Sequence, residues 1–274
     1  MSRSKRIVAT FGRAFLAGGA VFFLACGQGA PQPAPAGQAR VLRVAAAADL
    51  KFALPEAITA FEKKRPDLKV EATYAASGAL FAQLMNGAPF DLFLSADVDY
   101  PTKLIESGTA AKESLFRYAE GRLAIWVRRE SPLDLEKSGI RALLDPAVKK
   151  IAIANPRHSP YGRAATAALK QAGVYDALVE RLVFGENVAQ AAQFVESGSA
   201  DAGLVALSLA SSPAMSEKGR WTLAPRELHP PLEQAGAIMT GAREREGAAA
   251  LRVFLTGPEG QEALKRRGLG AKEP

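Results

Sequence analysis

One cysteine and two histidines in 274 residues leave little room for several kinds of chemistry. Cys26 has no partner for a disulfide. His158 and His229 stand far apart in the sequence, and a single histidine makes neither a metal centre nor a nucleophilic triad. No serine stands in a G-x-S-x-G turn, and "PYGRA" and "GENVAQ" lack the spacing of a phosphate loop. Aromatic residues make up 7% of the chain and are not interleaved with runs of lysine or arginine, which argues against nucleic-acid binding. No internal repeat of fixed period is present.

What is there begins with a leader. Arg3, Lys5, Arg6 and Arg13 precede an apolar stretch from Ala14 to Ala25 interrupted only by glycine. This pattern predicts a secretory signal peptide over residues 1–25, too short for a permanent membrane span. Phe23-Leu24-Ala25-Cys26-Gly27 resembles a bacterial lipoprotein processing site, with Phe23 and Leu24 departing from the usual residues. An ordinary signal peptide with an incidental cysteine is the alternative. Either way the protein is exported. If Cys26 is lipidated, its thiol is consumed as a thioether and no cysteine chemistry remains. Residues 26–40 follow as a Pro/Gly/Gln/Ala tether that can bury nothing. The leader holds four cations and no acid, so its removal takes the net charge from +7 to +3.

From Val41 onward the pattern alternates between strand and helix. Strands are predicted at Leu42–Ala47, Val70–Tyr74, Leu92–Ser95, Leu123–Val127, Ile151–Ala154, Gly203–Leu207 and Ala235–Met239. Apolar residues at helical spacing lie between most of them, for example Leu54, Ile58 and Phe61. Such alternation implies an α/β architecture with mainly parallel sheets. Pro55 fits poorly inside a helix starting at Leu50, so a short turn is expected before a helix that begins near Pro55.

The strand-to-helix junctions carry more information. "AAAADL" (45–50), "YAASGAL" (74–80), "NPRHSPYGRA" (155–164) and "FGENVAQA" (184–191) are each short turns of small or capping residues. A helix N-terminus offers unpaired N–H groups and about half a positive charge, an anion site that needs no cationic side chain. Four such junctions, split between the two halves of the chain, suggest a cleft between lobes.

With these segments in view, the sequence resembles the molybdate-binding proteins of ABC importers, which have the type II periplasmic binding fold. The resemblance runs from about Leu42 to Gly270. It is carried by "AAAADLKFALPEAITAFEK", "IAIANPRHSPYGRAATAALKQAG", "ENVAQAAQFVESGSADAGLVALS" and "FLTGPEGQEALKRRG", and most specifically by "GAPFDLFLSAD". It implies two α/β lobes, each a mostly parallel sheet flanked by helices, joined by crossing strands near Leu123–Val127 and Ala235–Met239. Residues 41–123 and 236–274 would then form one lobe and 124–235 the other. It further implies a monomeric, non-catalytic protein at the outer face of the cell envelope, with no cofactor and no cation site. That protein would bind molybdate or tungstate through neutral donors and deliver it to a membrane permease with a cytoplasmic ATPase. Another oxyanion, such as phosphate, phosphonate, sulfate or chromate, is the alternative.

Carried over residue by residue, the family's binding positions fall on Ala48, Asp49, Ser77, Tyr161 and Val188. Ser77 also reads as a plain N-cap, and Val188 as a core residue offering only its N–H. Tyr161 can donate its phenol to an oxyanion, and Ala206 stands where relatives without that tyrosine carry one. Asn187 reads as a helix cap, and Asp91 and Asp97 as structural residues. His158, Arg157 and Arg163 read as rim or solvated surface residues.

Asp49 departs from the family, which commonly has a neutral donor there. A carboxylate about 4 Å from a dianion, at an effective dielectric of about 20, would repel it by roughly 8 kcal/mol. Two readings remain open. Asp49 turns away to cap its own helix, or it accepts a hydrogen bond from a protonated ligand.

Overall fold

The computed structural model describes residues 39–270. The expected signal peptide, Cys26 and the tether through residue 38 lie outside the described residues. Among the described residues, ten strands form two five-stranded sheets. The first has the order β2 (Leu68–Ala75), β1 (Arg40–Ala47), β3 (Leu92–Ser95), β10 (Leu232–Ile238), β4 (Phe116–Gly121). The second has the order β7 (Leu182–Gly185), β6 (Ile151–Ala154), β8 (Ala202–Ala206), β5 (Leu123–Arg128), β9 (Gly219–Leu223).

Each sheet contains one reversed strand. β10 runs antiparallel to β3 and β4, and β5 antiparallel to β8 and β9, while the remaining pairings are parallel. Both reversed strands are those laid down as the chain arrives from the other sheet. The passages fall at Arg122, between β4 and β5, and at residues 224–231, between β9 and β10. Leu123 pairs with Ala206 in the second sheet. Residues 232–235, expected in the second lobe, pair in the first sheet. Pro230 and Pro231 close the return passage, because neither can donate a ladder hydrogen bond, and the strand starts directly after them.

Alternation along β1 explains its packing. Leu42, Val44 and Ala46 join a core with Phe61, Leu251 and Leu264, whereas Ala45 faces Leu80, Phe93 and Leu104 on the other side. Both faces are therefore covered by helices, which is why β1 reads as an almost unbroken apolar run. The second sheet has its own core around Trp126, Ile153 and Leu204. Ala47, Ala48 and Ala96 of the first half join that second core. Their short side chains let the two halves approach closely.

Pro55 sits in the first turn of helix Leu54–Lys64, and a 3-10 turn over Ala48–Leu50 precedes it, as the proline position predicted. Three strands, β4, β7 and β9, were not anticipated. All are sheet edges. "FRYAEG", "LVFG" and "GRWTL" are half exposed or interrupted by charge, so they lack the apolar run that marks a central strand. No helix among the described residues is long and apolar enough to cross a membrane.

Candidate anion-binding site

The four junctions converge between the two sheets. β1 runs into the Ala48–Leu50 turn, and β2 ends just before helix Ser77–Met85. β6 leads through residues 155–159 into helix Pro160–Gln171, and β7 into helix Val188–Glu196. Together they enclose a cavity of about 10 Å³ lined by Ala48, Asp49, Ser77, Tyr161 and Val188, with Ser159 and small neighbours completing the wall. That is close to the least room that holds one water-sized centre, so only a compact occupant fits without opening. The five residues predicted from sequence thus come together. Among the described residues, no lysine, arginine or histidine lines the cavity and no cluster of metal-ligating side chains exists.

Capping decides which backbone donors remain. Asn187 Oδ1 accepts from the N–H groups of Ala189 and Gln190, both at 3.0 Å, leaving that of Val188 uncapped. Ser159 Oγ accepts from Gly162 N–H at 3.4 Å, and Pro160 has no N–H, so Tyr161 carries the free donor of that turn. Ser77 does not cap its helix; Ala76 occupies the cap position without a side-chain bond. The Ser77 hydroxyl instead accepts from Ala96 N–H at 3.0 Å, which leaves its own hydrogen available to donate.

Asp49 does not cap its helix either. It is fully buried beneath the junctions, where Oδ2 accepts from the Gln234 side-chain amide and from the Tyr161 hydroxyl at 3.3 Å. The Tyr161 phenol is thus committed to Asp49 in this arrangement, and not, as expected, to an oxyanion. Ser208 Oγ donates to the Asp49 backbone carbonyl at 2.8 Å. Oδ1 of Asp49 and Oε1 of Gln234 are buried without a hydrogen-bond partner among the described residues. Burial pushes the Asp49 carboxyl up to about 6, against the opposing bonds from Gln234, from its own backbone N–H and from Tyr161. Burial, and then the Asp49 charge, hold the Tyr161 phenol well above its ordinary range.

Further bonds span the two halves at the cavity rim. Gly78 N–H donates to His158 O at 2.8 Å. Arg163 reaches Asp97 Oδ2 at 2.5 Å and the Tyr100 hydroxyl at 3.2 Å. Both His158 and Arg163 were read as rim or surface residues; the structure gives each a partner across the cleft. A Cβ at Gly78 would lie 2.8 Å from His158 O and 2.9 Å from its Cα.

The sequence profile described as Bacterial extracellular solute-binding protein matches residues 42–270. The chain belongs to that family. It is 36% identical over 242 residues to the molybdate-binding protein ModA of Azotobacter vinelandii, covering 88% of this chain and 94% of the relative. It is 34% identical over 246 residues to ModA of Rhodobacter capsulatus, covering 89% and 93%. The solved structure of the Azotobacter vinelandii periplasmic molybdate-binding protein superposes with a TM-score of 0.79 at 31% identity, covering 85% of this chain and all of that one.

For a solute-binding protein, the residues that join its halves matter as much as those lining the cavity, and sequence reasoning missed several. Gln234 is a lone fully buried amide within the apolar "LEQAGAI" strand, a polar residue where the pattern allows none. Gly121 ends β4 where a Cβ would strike the Tyr161 hydroxyl and lie 2.9 Å from Gln234 Nε2. Ser208 had no local signal at all. Asp91, by contrast, is structural as expected, accepting from the N–H groups of Arg43, Arg243 and Glu244. Ala206 is fully buried at the end of β8 and does not line the cavity.

Proposed function

We propose that this protein captures molybdate or tungstate between its two lobes for delivery to an ABC permease powered by a cytoplasmic ATPase. The observation that carries the reading is a small cavity walled by four junctions, supplied with the Ser77 hydroxyl and uncapped N–H groups and, among the described residues, lined by no cationic side chain. Such donors suit a compact, fully deprotonated oxyanion, because fixed dipoles replace its hydration without demanding a counter-charge. The similarity to two proteins named for molybdate binding supports the choice of ion. The binding residues are Ala48, Asp49, Ser77, Tyr161 and Val188, with no cofactor and no catalysis. Closure is the working step, driven by contacts made only when the lobes meet. In this reading the mature protein is a monomer held at the outer face of the cell envelope by a lipid on Cys26.

Calorimetry on the soluble body against molybdate, tungstate, sulfate and phosphate tests the assignment. Binding of molybdate or tungstate in preference to the others is expected. Silence with both metals' oxyanions, together with heat from phosphate, would overturn it.

A further inference from the structure

Asp49 is the residue that the molybdate reading leaves in conflict with its ligand. The inference drawn here rests on that reading and resolves the conflict. Three geometric facts bear on it. Asp49 lines the cavity and is fully buried. Its Oδ2 is saturated by Gln234 and Tyr161, which come from the two different halves. Its Oδ1 is the oxygen that no group among the described residues reaches. An ionised Oδ1 could only accept, and molybdate at neutral pH carries no hydrogen to give it.

We propose that Asp49 binds the oxyanion as a neutral carboxylic acid, its Oδ1–H donating to one ligand oxygen, so that capture of the dianion takes one proton from solvent. The proton stays on Asp49, no covalent bond to the ligand forms, and release returns it. The carboxylic acid thereby acts as the neutral donor that an ionised aspartate cannot be. Gln234 and Tyr161 are positioning residues, since their bonds hold Oδ2 and leave Oδ1 as the carboxyl oxygen without a partner.

The surroundings favour the neutral acid. Burial already raises the carboxyl before any anion arrives, and a dianion beside it raises it further. Among the described residues, no cationic side chain lines the cavity beside it. Tyr161 and Tyr118 both stay protonated, held far up by burial first and by the Asp49 charge second. Tyr74 on β2 is neutral, its phenol pushed up to about 12 by burial. Ser208 meets only the Asp49 backbone carbonyl, Val188 is apolar, and Arg163 and Asp97 pair with each other at the rim.

The test is isothermal titration of the folded protein with sodium molybdate in buffers of differing ionisation enthalpy, from pH 5.5 to 8.5. Uptake of about one proton per anion is expected near pH 8, with Kd level below about pH 6 and rising about tenfold per pH unit above it. In Asp49→Asn, whose amide can donate without a proton, uptake should vanish and Kd should become level across the range. Molybdate bound tightly without proton uptake by the unaltered protein would overturn this inference and leave the molybdate reading intact. A pH slope that persists in Asp49→Asn would do the same. No molybdate or tungstate binding at any pH, with inorganic phosphate bound without uptake, would overturn both.

Discussion

Gly78→Ala isolates the cost of closing the cleft. In the structure the added Cβ would sit 2.5 Å from the Tyr100 hydroxyl, 2.8 Å from His158 O and 2.9 Å from His158 Cα. The tyrosine hydroxyl can swing aside. The His158 backbone cannot do so alone, because Ser159 N–H is tied to Asn155 O at 3.0 Å and the turn is capped into helix Pro160–Gln171. Restoring ordinary contact means drawing the halves apart by roughly 0.5 Å. That stretches the Gly78–His158 hydrogen bond, worth about 1 kcal/mol, on top of an overpacking cost of about 1–3 kcal/mol.

The closed form therefore loses about 2–4 kcal/mol, and molybdate affinity should fall roughly 30-fold to several hundred-fold. Without ligand the halves can part by that distance and relieve the contact, so alanine in the first turn of helix Ser77–Met85 should leave the melting temperature of the free protein unchanged or slightly raised. Calorimetry paired with thermal melting separates the two effects. A Kd within twofold of the unaltered protein would refute the reasoning, since it would mean the cleft binds without closing to this geometry.

The other predictions probe the hinge and the donors. Asp49 titrates near 3.8 when unfolded and at about 6 when folded, so the folded state holds its proton longer and loses stability as pH rises from about 4 to about 6. The loss is on the order of 3 kcal/mol; Asp49→Asn should melt higher than the unaltered ligand-free protein at pH 7.5 and match it more closely at pH 4. Ser77→Ala removes the acceptor for Ala96 N–H and one donor to the anion, so affinity should drop about 10- to 100-fold in titration. Arg163→Ala breaks a cleft-spanning pair whose arginine is nearly half exposed; Kd should rise no more than about fivefold, with the difference shrinking in high salt. Gly121→Ala places a Cβ against Tyr161 and Gln234, and should weaken binding by about 1–3 kcal/mol through the hinge rather than the cavity.

Much of this protein was legible from local pattern. Central strands were visible because a strand buried on both faces must be continuously apolar, as in Leu42–Ala47. The junctions were visible because helix starts require capping residues, and Asn187 caps as predicted. Even the oddity of Asp49 stood out, since a carboxylate among alanines has no local reason to exist.

Tertiary structure decided the rest, because the deciding contacts join residues far apart in the chain. Edge strands such as β7 and β9 are recruited by a neighbour rather than by their own composition. Gln234 lies 185 residues from Asp49 and Tyr161 lies 112 residues away, yet all three share one buried hydrogen-bond cluster. Burial of that cluster, and not the residue types within it, is what turns an ordinary aspartate into a candidate proton-bearing donor. Sequence by itself determined the two-half α/β framework and the places where backbone N–H groups go unpaired. Only packing those halves together determined which of the donors face one cavity and what Asp49 can do there.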